Sequence, residues 1–115
     1  YPYEVHILPR DHAVRLGEFT RETAGSLAAI LKTVMVKYDG LWGFSMPYIM
    51  NLFPEPSDGR DDPGWHFHIE FNPPYRSPQK LKYLAGAESG ADAFINDALP
   101  ENTAAELRAV DAGLE

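Results

Sequence analysis

Trp65-His66-Phe67-His68-Ile69-Glu70-Phe71 alternates between apolar and polar residues without a break. An extended strand turns successive side chains to opposite faces, so Trp65, Phe67, Ile69 and Phe71 form one apolar face while His66, His68 and Glu70 form a polar row on the other. Pro73-Pro74 ends the strand. Just upstream, residues 54–64 (Pro-Glu-Pro-Ser-Asp-Gly-Arg-Asp-Asp-Pro-Gly) gather turn-forming residues and show no periodicity, which predicts a loop joining two strands. The stretch before it, Phe44 to Phe53, is aromatic, aliphatic or Met with few charges. It reads as a buried strand that Pro47 pushes toward an edge or a bulge.

Further out, Val5-His6-Ile7-Leu8 is a short strand-like run stopped by Pro9, and the polar Arg10-Asp11-His12 leads to Leu16 and Phe19. The period then changes. Leu27, Ile30, Leu31, Val34 and Tyr38 fall at helical spacing, with Thr20 placed to cap the start and Gly40 placed to end it, which predicts a helix from Thr20 to about Asp39. Downstream, Lys80 to Ala87 reads as a connecting segment, with Gly86 and Gly90 loosening any regular element. A last helix is expected from Pro100 or Thr103 to Val110, with Leu107 and Val110 facing inward.

The whole chain has 115 residues, enough for a single domain (1–115) with one core, and its 44% hydrophobic content is too high for a disordered segment. A formal net charge of -7 removes the electrostatic footprint of a nucleic-acid binder. With no cysteine there is no disulfide framework, zinc–thiolate cluster or cysteine nucleophile, and such a chain suits a reducing compartment, so the cytoplasm is expected. No run approaches the roughly 20 apolar residues of a membrane helix. Tyr1-Pro2-Tyr3-Glu4 has neither part of a signal peptide, and the missing initiator Met suggests a piece of something longer.

Two constellations could carry chemistry. His66, His68 and Glu70, spaced about 6.6 Å apart along one strand face, could converge on a metal or a phosphate, and the alternative is a strand face that is simply polar. Either histidine could in principle attack a phosphoryl group. However, the sequence contains no Gly-rich phosphate loop, Ser-His-Asp arrangement or G-x-S-x-G elbow to support a hydrolase or kinase acting alone. Lys82-Tyr83-Leu84-Ala85-Gly86-Ala87-Glu88 joins a cation, an aromatic ring and a carboxylate, a mixture suited to a polar ligand such as a sugar or equally to a solvated turn. Met35, Met46, Met50 and Trp42 read as core or interface fillers, and His6 and His12 as surface residues.

In order and spacing these segments resemble the C-terminal half of galactose-1-phosphate uridylyltransferases, of the histidine-triad superfamily, over almost the whole chain. The resemblance rests on Tyr1-Pro2-Tyr3-Glu4, Ile7-Leu8-Pro9-Arg10-Asp11-His12, Lys37-Tyr38-Asp39, Phe44-Ser45-Met46-Pro47-Tyr48-Ile49-Met50, Trp65 to Pro74, and Lys82 to Glu88. It implies an enzyme of two halves, in which a histidine of a His-Pro-His motif in the N-terminal half takes the uridylyl group from UDP-glucose and passes it to galactose 1-phosphate. That motif is absent here, so no catalytic residue is assigned to this chain. The resemblance gives Lys82, Tyr83, Ala85 and Glu88 a substrate-binding role in the nucleotide-sugar site of the partner subunit, with Lys82 and Glu88 bonding sugar hydroxyls. Ala87 replaces a frequent aromatic, and no Gln follows Gln79.

Some members hold structural iron or zinc through a loop histidine, the two histidines of the His-x-His strand, and a carboxylate from the other half. Here His68 matches the first strand ligand and is the only surviving position, Glu70 stands at the second, and Phe53 occupies the loop position, so an empty site is expected. His66 and Glu70 remain weak alternative ligands beside His68.

The expected fold is α+β and histidine-triad-like, with an antiparallel sheet packed by one long helix plus a short C-terminal helix. The expected function is that of a C-terminal domain which supports a homodimer and its nucleotide-sugar site, completed by a missing N-terminal half and making no use of nucleic acid or membrane. The rival readings are a stand-alone nucleotide-binding domain of the superfamily without transferase activity, and a related nucleotidyltransferase using another sugar phosphate. An in-frame half containing His-Pro-His just before Tyr1 would reject the stand-alone reading.

Overall fold

The computed structural model describes residues 1–113. The second half of the alternating stretch forms the centre of the sheet: strand β3 (His68–Asn72) lies between β1 (Val5–Ile7) and β2 (Ile49–Phe53), both neighbours run antiparallel to it, and Trp65, His66 and Phe67, expected as its start, lie outside the strand. Val5 pairs with Phe71 and Ile7 with Ile69, while Met50 and Leu52 pair with the same two residues from the other side. Paired residues share a face, so the apolar half of β3 gathers the apolar positions of all three strands. The polar half sets Glu70 between His6 and Asn51, and His68 beside Phe53.

Helix α1 (Arg21–Trp42) covers the apolar face. Phe67, Ile69 and Phe71 are buried with Val34, Tyr38, Met46 and Tyr3, and Phe19 meets Phe67 edge-on at 5.2 Å. Each such side chain contributes about 1.5–3 kcal/mol by leaving water. Thr20 caps the helix as expected, its hydroxyl accepting the Thr23 N–H at 3.1 Å. The helix does not end at Gly40. It continues to Trp42 and closes at Gly43, whose φ of 74° is the left-handed conformation a glycine adopts without strain. Leu41 and Trp42 extend the apolar stripe onto the core, with the Trp42 ring edge-on to Tyr3 at 5.1 Å.

Gly40 has a tertiary role instead. A Cβ there would lie 2.6 Å from Val110 Cγ1, so its missing side chain admits the end of the last helix, α3 (Pro100–Ala109). Pro100 occupies the first turn of α3, Leu107 packs on the core, and Lys37 donates to the carbonyls of Leu107 (3.0 Å) and Val110 (2.6 Å). This ammonium satisfies carbonyls that a helix end leaves without partners.

Two further expectations need correction. The Phe44–Phe53 run is not one buried strand: only Ile49–Phe53 is extended, this edge strand leaves Ile49 62% exposed, and Met46 is the buried residue of the run. Residues 44–48 instead fold back on α1, where the Asp39 carboxylate accepts the Met46 N–H at 2.9 Å and Phe44 packs on Trp42 and Tyr75. The 80–87 segment is also more regular than its glycines suggest. It begins with β5 (Lys80–Leu81), paired in a two-stranded ribbon with β4 (Tyr75–Ser77), and passes into a short helix, α2 (Gly86–Ala91), that contains both Gly86 and Gly90. A 3₁₀ turn at Leu16–Glu18 was not anticipated.

Candidate functional site

Segment 82–95 is built around one buried ion pair. The Lys82 ammonium lies 3.2 Å from the Glu88 carboxylate, and their side chains are 5% and 1% exposed. Glu88 stands three residues past Ala85, the residue that precedes α2, and its carboxylate reaches back to accept the Ala85 N–H at 3.0 Å. It also accepts the Ile95 N–H at 3.3 Å, while Lys82 donates to the Ile95 carbonyl at 2.9 Å. The pair thus pins the start of α2 to the chain that returns after it. Asp92, at φ 50°, makes that return in a left-handed conformation that Asp adopts more readily than most residues.

The Ala85 N–H holds the Glu88 carboxyl below the usual carboxylate range. Burial pulls the other way, but Lys82 and the Ile95 N–H add to the lowering. The structure brings Lys82, Ala85 and Glu88 together and turns Tyr83 outward, 75% exposed. Leu84, Phe94, Ile95 and Leu99 of the same stretch of chain are also exposed. Beyond the Glu88 carboxylate and the Ile95 carbonyl, the Lys82 ammonium lies 5.5 Å from the centroid of the Tyr1 ring, so this buried cation is engaged within the protein.

On the polar face of the sheet, the row read from the sequence divides. The Pro9 carbonyl can only accept, so His66 Nε2 carries a proton and donates to it at 2.8 Å, while the ring packs against His12 at 5.4 Å. His68 stays with Glu70. Its Nδ1–H donates to the His66 carbonyl at 3.0 Å, which leaves Nε2 facing the Glu70 carboxylate at 3.5 Å.

The family's strand-and-loop metal site does not fit these residues. Phe53 lies nearly parallel to the His68 ring, 4.8 Å away with 11° between planes, and fills the β2 side where a loop ligand belongs. Glu70 instead faces β1: its carboxylate lies 3.8 Å from His6 Nε2, and His6 in turn lies 2.6 Å from the Glu4 carboxylate. Glu4 was not singled out in the sequence, and His6 was read as a surface residue. Their two-residue spacing was visible, but the meeting of His6 with Glu70 depends on strand register.

The sheet, its single covering helix and the polar outer face define an α+β domain of the histidine-triad-like class. The family "Galactose-1-phosphate uridyl transferase, C-terminal domain" matches residues 1–113. Among curated relatives, the galactose-1-phosphate uridylyltransferase of Thermotoga maritima is 46% identical over 94% of this chain and 34% of its own length. That of Haemophilus influenzae is 37% identical over 96% of this chain and 32% of its own length. A solved uridylyltransferase superposes with a TM-score of 0.85 at 42% identity, over 95% of this chain and 34% of that one. An ADP-glucose phosphorylase from Arabidopsis thaliana, solved with bound ADP-glucose, gives 0.81 at 26% identity, over 96% of this chain and 34% of that one.

The chain belongs to the galactose-1-phosphate uridylyltransferase family, matching its C-terminal domain. It spans about one third of the length of the curated relatives it matches. No helix among the described residues is long and apolar enough to cross a membrane.

Proposed function

We propose that this chain works as the C-terminal half of a cytoplasmic UDP-glucose:hexose-1-phosphate uridylyltransferase of galactose metabolism, acting as a homodimer. In this reading a preceding half supplies the histidine that accepts the uridylyl group from UDP-glucose and passes it to galactose 1-phosphate. Residues 82–88 present the other protein surface to the nucleotide sugar. Tyr83 offers a ring on which a sugar or base can pack, and the Lys82–Glu88 pair fixes Ala85 and the start of α2 in place. The observation that carries the reading is a family match along residues 1–113 in a chain that spans only a third of its relatives.

Uridylyl transfer between UDP-glucose and galactose 1-phosphate is the assay that tests this. The 115-residue chain alone should give no turnover. A longer protein that carries it after a His-Pro-His half should turn over, and Tyr83→Ala there should raise the KM for UDP-glucose several-fold. Clear turnover by the chain alone would refute the proposal.

The structural match to an ADP-glucose phosphorylase favours a second reading, a nucleotidyltransferase that handles an adenylyl group. Titrating the longer protein with UDP-glucose and ADP-glucose in parallel separates the two, because the working donor is the one that binds at least tenfold more tightly.

A further inference from the structure

We propose that Arg76 and Asp97 form a positioning clasp that ties residues 82–95 to β4 and so keeps the nucleotide-sugar surface in its binding arrangement, a role that rests on the reading of residues 82–88 as substrate-facing. Neither residue touches the ligand. Both act through the chain between them.

The local structure of β4 aims Arg76. Tyr75 pairs with Leu81 and Ser77 with Lys80, so β4 takes two steps where β5 takes one, and Arg76 is the extra residue of a bulge. A bulge leaves that residue out of the ladder and re-aims its side chain. Here the Arg76 guanidinium reaches past α2 to pair with the Asp97 carboxylate. Its neighbour Tyr75 is anchored in the aromatic core, with ring centroids 5.4 Å from Phe44 and 6.4 Å from Trp42. The clasp therefore has one fixed jaw.

The other jaw is the segment itself. It leaves β4 where the Lys82 N–H donates to the Pro74 carbonyl at 2.6 Å, and it comes back to β4 at Arg76. Asp97 lies two residues past Ile95, whose backbone holds both Lys82 and Glu88, and Glu88 in turn fixes Ala85. A pull on Asp97 is thus passed to the start of α2 through one short run of bonded residues. The segment needs such a tie: α2 has six residues, too few for a helix to stand without tertiary support, and Tyr83, Leu84 and Phe94 spend their apolar surface on solvent.

A site whose binding arrangement is populated only part of the time binds more weakly by that fraction. The paired side chains are 33% and 35% exposed, so solvent screens the pair and its loss shifts this population several-fold rather than by orders of magnitude. The chemical step belongs to the preceding half, so the effect falls on KM.

The test measures KM for UDP-glucose and kcat in the longer protein. The variants are Arg76→Gln, Asp97→Asn, their combination, and Arg15→Gln, which breaks a partly exposed ion pair with Glu55 elsewhere in the fold. Each clasp variant should raise KM about fivefold with kcat changed less than about twofold, the double variant should raise KM no further, and Arg15→Gln should leave it unchanged. Hydrogen exchange in the single variants should show protection lost at amides 82–95 and kept in β1 and β3, which separates a loosened segment from a misfolded domain. An unchanged KM in either single variant, losses that multiply in the double variant, a raised KM in Arg15→Gln, or lost protection in β3 would each overturn the clasp. Tyr83→Ala tells this failure from failure of the surface: if it raises KM while the clasp variants do not, the surface stands and the clasp falls, whereas an unchanged KM in Tyr83→Ala removes the surface and the clasp with it.

Discussion

Tyr3 is held in an unusual conformation at φ 61°, and both ends of the residue are tied down. Its carbonyl accepts the buried Tyr38 hydroxyl at 2.7 Å, and its own hydroxyl donates to the Glu106 carboxylate at 2.8 Å. A left-handed non-glycine residue costs about 1–3 kcal/mol and persists only where its surroundings over-determine it, as they do here. Burial, then the hydrogen bond to Glu106 and the charge of that carboxylate, push the Tyr3 phenol up to about 12. A phenol whose pKa is raised by folding adds stability that is complete below its ordinary value near 10 and is lost as pH rises toward 12. Thermal melts should therefore show the wild type losing Tm between about pH 10 and 12 more steeply than Tyr3→Phe. At neutral pH that variant should cost about 1 kcal/mol. Parallel losses in the two proteins would show that Tyr3 is not the responsible group. None of this was legible in the sequence, where Tyr3 is one aromatic residue in a short polar lead-in.

Two glycines of α1 give opposite predictions at the scale of the element. Gly25 has open space where a Cβ would go, so Gly25→Ala should stabilise by about 0.5–1 kcal/mol through helix propensity. Gly40→Ala would gain the same propensity but press on Val110, and overpacking of this kind costs about 1–3 kcal/mol, so a net loss of about 1 kcal/mol is expected. Denaturant midpoints for the pair check this, and equal stabilisation at both sites would contradict the packing account. Gly40 also shows why the helix end was misread. A glycine near the end of an apolar period looks like a stop, whereas its use is set by a side chain 70 residues away in sequence.

The 82–95 segment was obscured for a similar reason, because its order comes from a pairing of Lys82 with Glu88 that no local period announces. The central strand and the cap of α1 were legible, since alternation and an N-cap threonine are local physics. For Glu88, a pKa lowered by folding means stability present above the ordinary value near 4.5 and lost as pH falls through the folded one. The protection of amides 82–95, taken as exchange relative to the intrinsic rate at each pH, should therefore fall in acid in the wild type. In Glu88→Gln that protection should already be low at neutral pH and change little on acidification, and unchanged neutral protection in that variant would remove the ion pair from its role.

The molecule as a whole is a slab, 44 × 42 × 22 Å, with a radius of gyration of 16.1 Å. A compact domain of 100 residues would have about 13 Å. One helix covers one sheet face, the edge strand β2 exposes Ile49, Met50 and Leu52, and Tyr83, Leu84 and Phe94 are exposed as well. These features fit a layer that works against other protein, as the proposed function requires. How the members of the polar row divide between β1, Pro9 and Phe53 is a product of register and loop path that spacing alone does not carry.

The most direct measurement follows where the uridylyl group goes. The longer protein is incubated with UDP-glucose, and its peptides are analysed by mass spectrometry. The account predicts a uridylyl adduct on a histidine of the preceding half and none within residues 1–115; an adduct on His66 or His68 would contradict it.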